Sequence, residues 1–462
     1  RGYQAWIYLT HPSAKKWARL DRGLPLVTFW LREDTAPQID FAPTHLPGVD
    51  RTVPEQTDPG SSTIAIDPHG RLIGLRAVPT TAWKPRTLDW NELLLAAGFT
   101  PASFTAAATA EIPAMFADAR IAWIGKHPAD GTPIRIEAAA FRGVPVSFRI
   151  IAPWDAKDLT AQVPFASGGG FRLFMGTLAM LAVSIGALLA WRNLRLRRGD
   201  RHAAIQVAMT MFLMEATWRL LTADHELVFE HERMILLASL GPSLVTGLLF
   251  GLVYLAVEPY IRRRWPDRLI SWARLLGGQW RDPMIGRDVL IGITAGLIHA
   301  ALASWGKPEN PFSGDLEMLG SPLIGIARSA YSVGQGVSAG LPNMTVLMLL
   351  PIVLRRRWLA VAGLFVLQFT AYLFADTDPI ARVHFLILTA ILTYVVARYG
   401  MLAITAAYVA FFAVFAFPLP DAFAWYTARG LTTTLFVLAI AVWAFVTSLG
   451  GQRAFAANLL DD

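Results

Sequence analysis

Side chains with types and spacing suited to chemistry are few, and most fall in one neighbourhood. Glu215 and Arg219 stand four apart, on one face of a helix. Both lie inside an apolar run, where a charge is costly and marks either a functional site or a pair held between helices. A glutamate and an arginine at this spacing neutralise each other, so a structural pair is the expectation. A glutamate-centred intramembrane protease would need a second glutamate and suitably spaced histidines, and the sequence has neither. Just beyond, Asp224, His225, Glu226, Glu230, His231 and Glu232 crowd one stretch. Oxygen and imidazole ligands of this kind can hold a divalent cation, which makes His225, Glu226, Glu230 and His231 candidate ligands. A solvated acidic loop is the alternative. His299 and His384 are lone histidines in or beside apolar runs, read as packed, hydrogen-bonded core residues.

Other chemistries lack their residues. There is no cysteine, hence no disulfide, thiolate or cysteine metal site. No Walker loop, protein-kinase catalytic loop or Asp-Phe-Gly element occurs. No histidine set has the spacing of a haem or dinuclear centre. No chain of acids crosses the apolar runs as in a proton pump, and no inverted repeat of broken helices is visible. No catalytic residue and no cofactor site follow, so these 462 residues are expected not to be an enzyme.

The elements that position these residues are membrane-like. Of the chain, 54% is hydrophobic and only 16% charged, with a mean hydropathy of +0.42. A span needs about 20 mostly apolar residues. Nine segments qualify, at 171–191, 203–223, 234–257, 288–306, 328–354, 358–375, 383–399, 401–418 and 431–449. The fifth opens with Ser332, Gly334, Gln335, Gly336 and Ser338, a pattern for a broken segment or for close helix packing. The net charge of +7 sits largely at span ends. That speaks for an anionic inner leaflet as partner and against nucleic acid. Arginine-rich loops follow the odd-numbered segments, while the alternate loops are acidic or neutral. The asymmetry places the arginine loops and the tail inside and the first domain outside.

The most distinctive stretch is Glu258 to Gly292, between two apolar runs. It carries Arg262, Arg263, Arg264, Arg268 and Arg274, with Trp265, Trp272 and Trp280 among them. Arginine at span ends and tryptophan at headgroup level predict membrane-interface anchors. Trp265, Leu269, Trp272 and Leu276 form one helical stripe, Pro266 suits the first turn, and Gly277 and Gly278 suit the end. A short helix lying on the membrane is the expectation; a well-anchored loop is the alternative. Glu258 is placed to pair with Arg262.

Residues 1–165 contain no span-length run and read as a small α+β domain. The expected elements are a helix over Tyr3 to Leu20, a strand over Leu26 to Leu31 and a loop over Pro37 to Ser62. A hairpin follows over Thr63 to Val78, then a helix over Asp89 to Ala97 and a strand over Ile121 to Ile124. A second hairpin spans Ile134 to Ile151, turning at Arg142-Gly143. The organisation is thus an extracytoplasmic α+β domain (1–165), a glycine-rich joint (166–170) and spans one to three (171–257). An interfacial arginine–tryptophan segment (258–288), spans four to nine (289–449) and a cytoplasmic tail (450–462) complete an α-helical polytopic bundle. The sequence starts at Arg1 without a signal peptide, so an outward domain implies an earlier span upstream.

Several blocks together carry a resemblance: EPYIRRRWPDRLISWARLLGGQWRDPMIGRDVLIG, WRNLRLRRGDR, IRIEAAAFRGVPVSFRIIAPW, AWYTARGLTT, and TSLGGQRAF followed by LLDD. They resemble the membrane region of large serine/threonine protein kinases of acidobacterial type, over nearly the whole chain. The resemblance implies a cytoplasmic kinase domain first, then one span, an outward domain and a multi-span bundle in a bacterial inner membrane. The kinase part has no counterpart here, so no catalytic residue carries over. What it implies is a sensor or receptor segment coupling an outer domain to the cytoplasmic side. Two alternatives remain: an accessory subunit of a larger membrane complex, and a small-solute transporter or channel. A polar cavity around Gln335, Asn343 and Gln368 would favour the transporter.

Overall fold

The structure is a computed structural model and describes residues 24, 28–36, 55–110, 112–155, 184, 186–223, 225, 228–304, 323–373, 379–415 and 427–452. Two compact units divide the chain: Arg1–Leu173 with Glu226–His231, and Phe174–His225 with Glu232–Asp462.

The first unit is built on one seven-stranded antiparallel sheet. Its strands are β1 (Phe29–Glu33), β2 (Ser62–Ile66), β3 (Leu72–Ala77), β4 (Thr105–Ala107), β5 (Ala119–Lys126), β6 (Pro133–Phe141) and β7 (Val144–Ile151). They lie in the order β1-β2-β3-β7-β6-β5-β4. Helix α1 (Trp90–Ala96) starts at Asp89, whose carboxylate accepts the Asn91 N–H. Alternation gives the sheet one apolar face. Leu75, Phe148, Ala138 and Ile121 form one rung of it. Leu93, Leu94, Phe99, Phe104 and Trp123 belong to the same core. The β6–β7 hairpin turns through Arg142 (φ 53°) and Gly143 (φ 75°), the two left-handed positions of a tight two-residue turn. Only glycine fits at 143, since a Cβ there would lie 1.7 Å from the Arg86 carbonyl oxygen. In the β2–β3 turn, buried Asp67 accepts the N–H groups of His69 and Arg71, both at 2.8 Å, and pairs with the Arg71 guanidinium at 2.6 Å.

The second unit is helical: α2 (Arg201–Thr222), α3 (Phe229–Arg264), α4 (Ile270–Leu276), α5 (Pro283–Ser304), α6 (Ile324–Leu354), α7 (Arg357–Leu373), α8 (Pro379–Tyr399), α9 (Met401–Phe415) and α10 (Thr427–Ser448). Residues 186–195 are also helical. At the centre stands α9, which is almost wholly apolar and buried on most of its surface. It packs chiefly on α5 and α6. Gly292 and Gly296 of α5 make the closest approach. A Cβ on either would lie 2.3 Å from the Ala403 or 2.1 Å from the Ala407 carbonyl oxygen of α9. This is the small-xxx-small seam that lets membrane helices touch through their backbones. Gly336 and Gly340 of α6 press on the Thr405–Val409 face of α9 in the same way.

Among the described residues five helices are long and apolar enough to cross a membrane: Phe229–Arg264, Pro283–Ala303, Ile324–Ile352, Arg382–Tyr399 and Gly430–Ser448. The expected nine spans are not supported. Most of 171–191 lies outside the described residues. The 203–223 segment is helix α2, but Gln206, Glu215 and Arg219 dilute its apolar character. Within segments 358–375 and 401–418 the described helices are α7 and α9, of 17 and 15 residues, and 374–375 and 416–418 lie outside the described residues. The described part of α9 is buried among its neighbours. Its apolar residues answer to neighbouring helices. The described part is still a largely helical bundle preceded by a small sheet domain.

Smaller differences have local causes. The first strand is Phe29–Glu33, slightly later than Leu26 to Leu31, and β4 was not anticipated. The helix expected at Tyr3 to Leu20, most of the Pro37 to Ser62 loop, the 166–170 joint and the end of the tail lie outside the described residues. Arg262 to Arg264 close α3 instead of opening a loop, and α5 already starts at Pro283.

Candidate functional site

The open face of the sheet in the first unit carries a cleft. Residues of this face alternate with the core residues, so register alone places them. One rung runs Arg32, Thr63, Arg76, Ser147, Ala139, Arg120 across β1-β2-β3-β7-β6-β5. The next runs Gly74, Arg149, Glu137, Ala122 across β3-β7-β6-β5. Between Arg76 and Arg120 lie only Ser147 and Ala139, so the floor is low and arginines stand on both sides of it. The cavity is about 380 Å³, lined by Arg76, Arg120, Arg149 and Glu137 from the sheet and by Ile112 and Met115 from above.

The roof is a strap leading from β4 to β5, tied at both ends. Glu137 accepts the Ala110 N–H at 2.9 Å and the Arg135 Nε–H at 2.6 Å, and the Arg135 guanidinium also donates to the Ala108 carbonyl. At the other end the Asp118 N–H donates to the Ala140 carbonyl at 3.0 Å, and Phe116 meets Phe141 edge-on at 5.6 Å. Ile112, at the middle of the strap, is 88% exposed. The Arg76 guanidinium is held by Glu55 at 3.0 Å, while its buried Nε makes no hydrogen bond among the described residues. These arginines follow from alternation, since Arg76 and Arg149 each sit between two inward-facing apolar residues. The sequence reading of the two hairpins had singled out none of them.

In the second unit, Asn343 of α6 is the hub of a polar cluster. It donates to the Ala339 carbonyl at 2.8 Å, lies 3.5 Å from the Tyr408 hydroxyl, and accepts from the Gln368 amide. The Gln335 side chain accepts from the Ser338 hydroxyl at 3.3 Å. His299 stacks on Phe411 with ring centres 3.6 Å apart. It is packed as expected, but its Nδ1 has no hydrogen-bond partner among the described residues.

Glu215 and Arg219 form their pair, with Arg219 Nε donating to Glu215 Oε1 at 2.8 Å, both partly buried. Of the candidate metal ligands, Glu226 lies outside the described residues. Among the described residues no three His, Asp or Glu side chains gather into a metal site. His225 places one ring nitrogen 2.9 Å from a Glu232 carboxylate oxygen and the other 2.8 Å from the Leu220 carbonyl. Both ring nitrogens are thus engaged by protein oxygens. Glu230 is exposed and His231 is buried.

The arginine–tryptophan stretch is a 3₁₀ turn (Pro266–Arg268) followed by α4, which ends at Gly277. Its stripe is buried in protein and not offered to lipid: Trp265, Leu269 and Trp272 are all below 9% exposed, so an anchoring role at headgroup level narrows to Trp280 and the arginines. The arginines latch helix ends. Arg268 donates to the Arg398 carbonyl at 2.7 Å at the close of α8, and Arg357 donates to the Arg264 carbonyl at 3.1 Å at the close of α3. Cations there also offset the negative end of the helix dipole. Arg357 covers the Trp265 ring at 5.2 Å. Arg262 pairs with Glu258 at 2.5 Å, and Arg274 with Asp282 at 2.6 Å; Arg263 and Arg264 are exposed. Pro259, inside α3, leaves the Leu255 carbonyl without its helical donor. The Asn193 amide takes that place, donating to Leu255 at 3.1 Å and to Ala256 at 3.0 Å. Compared with known proteins, the chain matches no family model, no curated protein and no solved structure.

Proposed function

We propose that the chain is the non-catalytic sensing and membrane part of a bacterial receptor-type serine/threonine protein kinase. In this reading the sheet domain faces outward and receives a ligand, and the helical bundle sits in the inner membrane and couples it to a cytoplasmic kinase on the same polypeptide. The observation that carries the reading is the roofed cleft on the open sheet face. Its volume falls in the range of ligand pockets, and its polar groups converge on one wall. The arginine-rich helix ends support an inward orientation of that rim.

The transporter reading calls for a polar cavity in the bundle. The Asn343 amide is already engaged by Gln368 and the Tyr408 hydroxyl, which weighs against it. The accessory-subunit reading uses the same fold as a scaffold. Intact mass and peptide mapping of natively purified protein separate the two. Peptides bearing kinase motifs on the same polypeptide uphold the receptor. A chain of 50.7 kDa that co-purifies with other subunits at fixed stoichiometry overturns it in favour of the scaffold.

A further inference from the structure

We propose that Arg268, Arg357 and Arg398 of the helical unit form a binding site for a phosphate group. They reach one place from three elements: Arg268 from the 3₁₀ turn, Arg357 from the first turn of α7 and Arg398 from the last turn of α8. Local contacts set each in position. Gly400 (φ 86°) brings the α8–α9 corner so close that a Cβ on it would lie 2.1 Å from the Arg268 carbonyl oxygen. Arg268 Nη1 in turn donates to the Arg398 carbonyl at 2.7 Å. Arg357 Nη2 donates to the Arg264 carbonyl at 3.1 Å, with its guanidinium 5.2 Å from the Trp265 ring centre. The Arg398 guanidinium lies 5.6 Å over the Tyr399 ring.

Three observations lead to the site. The first is unspent donors. A guanidinium carries five N–H donors, and helix capping uses one on Arg268 and one on Arg357. The Arg268 Nε is buried and has no acceptor among the described residues. The second is charge without a partner: among the described residues none of the three arginines is in an ion pair. Of the nearby carboxylates, Asp288 is buried and held by Arg287 at 2.8 Å, and Asp267 is exposed beside Arg268. The third is mutual repulsion. Burial, Arg398 and Arg357 hold the Arg268 guanidinium below its usual range, against the opposing pull of Asp267 and Asp288. Like charges gathered this closely are relieved by a shared counter-ion. Guanidinium groups match phosphate oxygens through paired N–H donors. A carboxylate offers two oxygens in one plane, whereas a phosphate group offers them in several directions, as three arginines from separate elements require.

Such a group comes from an anionic lipid headgroup or from a soluble phosphate. The site lies where the apolar helices ending at Arg264 and Tyr399 close, at the depth of a headgroup. The test uses the full chain in phosphatidylcholine nanodiscs, titrated calorimetrically with inorganic phosphate, with chloride as the control anion. The same chain in neutral detergent is titrated with phosphatidylglycerol and read by native mass spectrometry, with phosphatidylcholine as the control lipid. A single saturable site per chain is expected for phosphate, phosphatidylglycerol or both, above either control. Whichever binds more tightly identifies the source, and either upholds the site. Charge-assisted hydrogen bonds are the strong ones, so Arg398→Gln should weaken binding roughly ten-fold or more. Arg398→Lys should restore only part of it, since lysine lacks the planar fork. The Arg398 side chain is exposed and makes no hydrogen bond among the described residues, so its variant keeps the fold, which an unchanged melting transition without ligand verifies. Arg357→Gln gives the same reading from another element. Arg281→Gln removes an exposed arginine that does not act on Arg268 and should bind like the wild type. A purely helix-capping role would leave binding unchanged in Arg398→Gln. Absence of saturable binding by both ligands, Arg398→Gln binding like the wild type, or Arg281→Gln weakening binding as much as Arg398→Gln overturns the site. None of these outcomes bears on whether kinase peptides share the polypeptide, so the two readings fail separately.

Discussion

Replacing Gly296 by alanine should loosen the centre of the bundle, while the same change at Gly241 should not. A Cβ at 296 would stand 2.1 Å from the Ala407 carbonyl oxygen and 2.9 Å from the Ala410 Cβ, where ordinary contact begins near 3.4 Å. Relief requires α5 and α9 to part by about 1 Å, and gaps of that size forfeit a quarter to a half of each dispersion contact across the seam. Retreat of α9 is blocked, because a Cβ on Gly336 of α6 already measures the opposite side as closed, at 2.3 Å from Val409 and 2.8 Å from the Thr405 carbonyl. Overpacking of this kind costs about 1–3 kcal/mol. The helix-propensity gain of alanine over glycine returns up to about 1 kcal/mol. At Gly241 of α3 nothing lies within 4 Å, so only the gain remains. The propensity gain is common to both variants, so they should differ by the overpacking cost of about 1–3 kcal/mol. At about 2–4 °C per kcal/mol, that is roughly 2–12 °C in melting temperature. Scanning fluorimetry of the full chain in nanodiscs reads it directly. Equal melting of the two variants would refute the claim that α9 is held by backbone contact on two sides.

Asn193→Ala should free the Leu255 carbonyl, which Pro259 deprives of its helical donor, and cost about 1–3 kcal/mol, the penalty for a buried acceptor left unpaired. Hydrogen exchange should rise in peptides around residues 255–262, and unchanged protection would count against the capping role. A double-mutant cycle on Glu215→Gln and Arg219→Gln should give a coupling of about 0.3–1 kcal/mol, since the pair is local and partly exposed; a coupling of several kcal/mol would mean a deeply buried charge pair. In the first unit, burial holds the His127 imidazole below its ordinary 6.5, against the pull of Asp130 3.2 Å away. The folded form then binds fewer protons than the unfolded one in that window. Stability contributed by neutral His127 is complete above about pH 6.5 and is lost as pH falls toward the folded value. Burial pushes the Asp67 carboxyl up, but hydrogen bonds from Arg71 and His69 outweigh it and hold it below 3.8, so its contribution is lost only at more acid pH. Exchange protection of β5–β6, corrected for intrinsic rates, should therefore fall between pH 7 and 5 and stay flat in His127→Gln.

Much of the local structure was legible because it depends on near neighbours. The Arg142-Gly143 turn, the Asp89 cap and the two hairpins each rest on residues within a few positions of one another. Misreadings arose where one pattern has two physical causes. Hydropathy responds to apolar surroundings and does not say whether lipid or protein supplies them. Hence α9 reads as a span from hydropathy alone, while its described part draws its apolar surroundings from neighbouring helices. The Trp265, Leu269, Trp272 stripe is equally amphipathic against headgroups or against helices, and here helices cover it. The cleft was out of reach for a different reason. Alternation says that Arg76 opposes the apolar face of β3 and Arg149 that of β7, but neither fact brings them together. Their neighbourhood exists only because β7, more than sixty residues after β3, pairs with it directly. Arg120 joins them only because β5 pairs with the far edge of β6. A site assembled from three separate hairpin strands leaves no spacing signature, since each arginine in its own segment is an ordinary solvent-facing residue. The charge it concentrates becomes visible only once register is known. For such a fold, the informative sequence signal is a surface arginine repeated on the same parity in strands that will become neighbours.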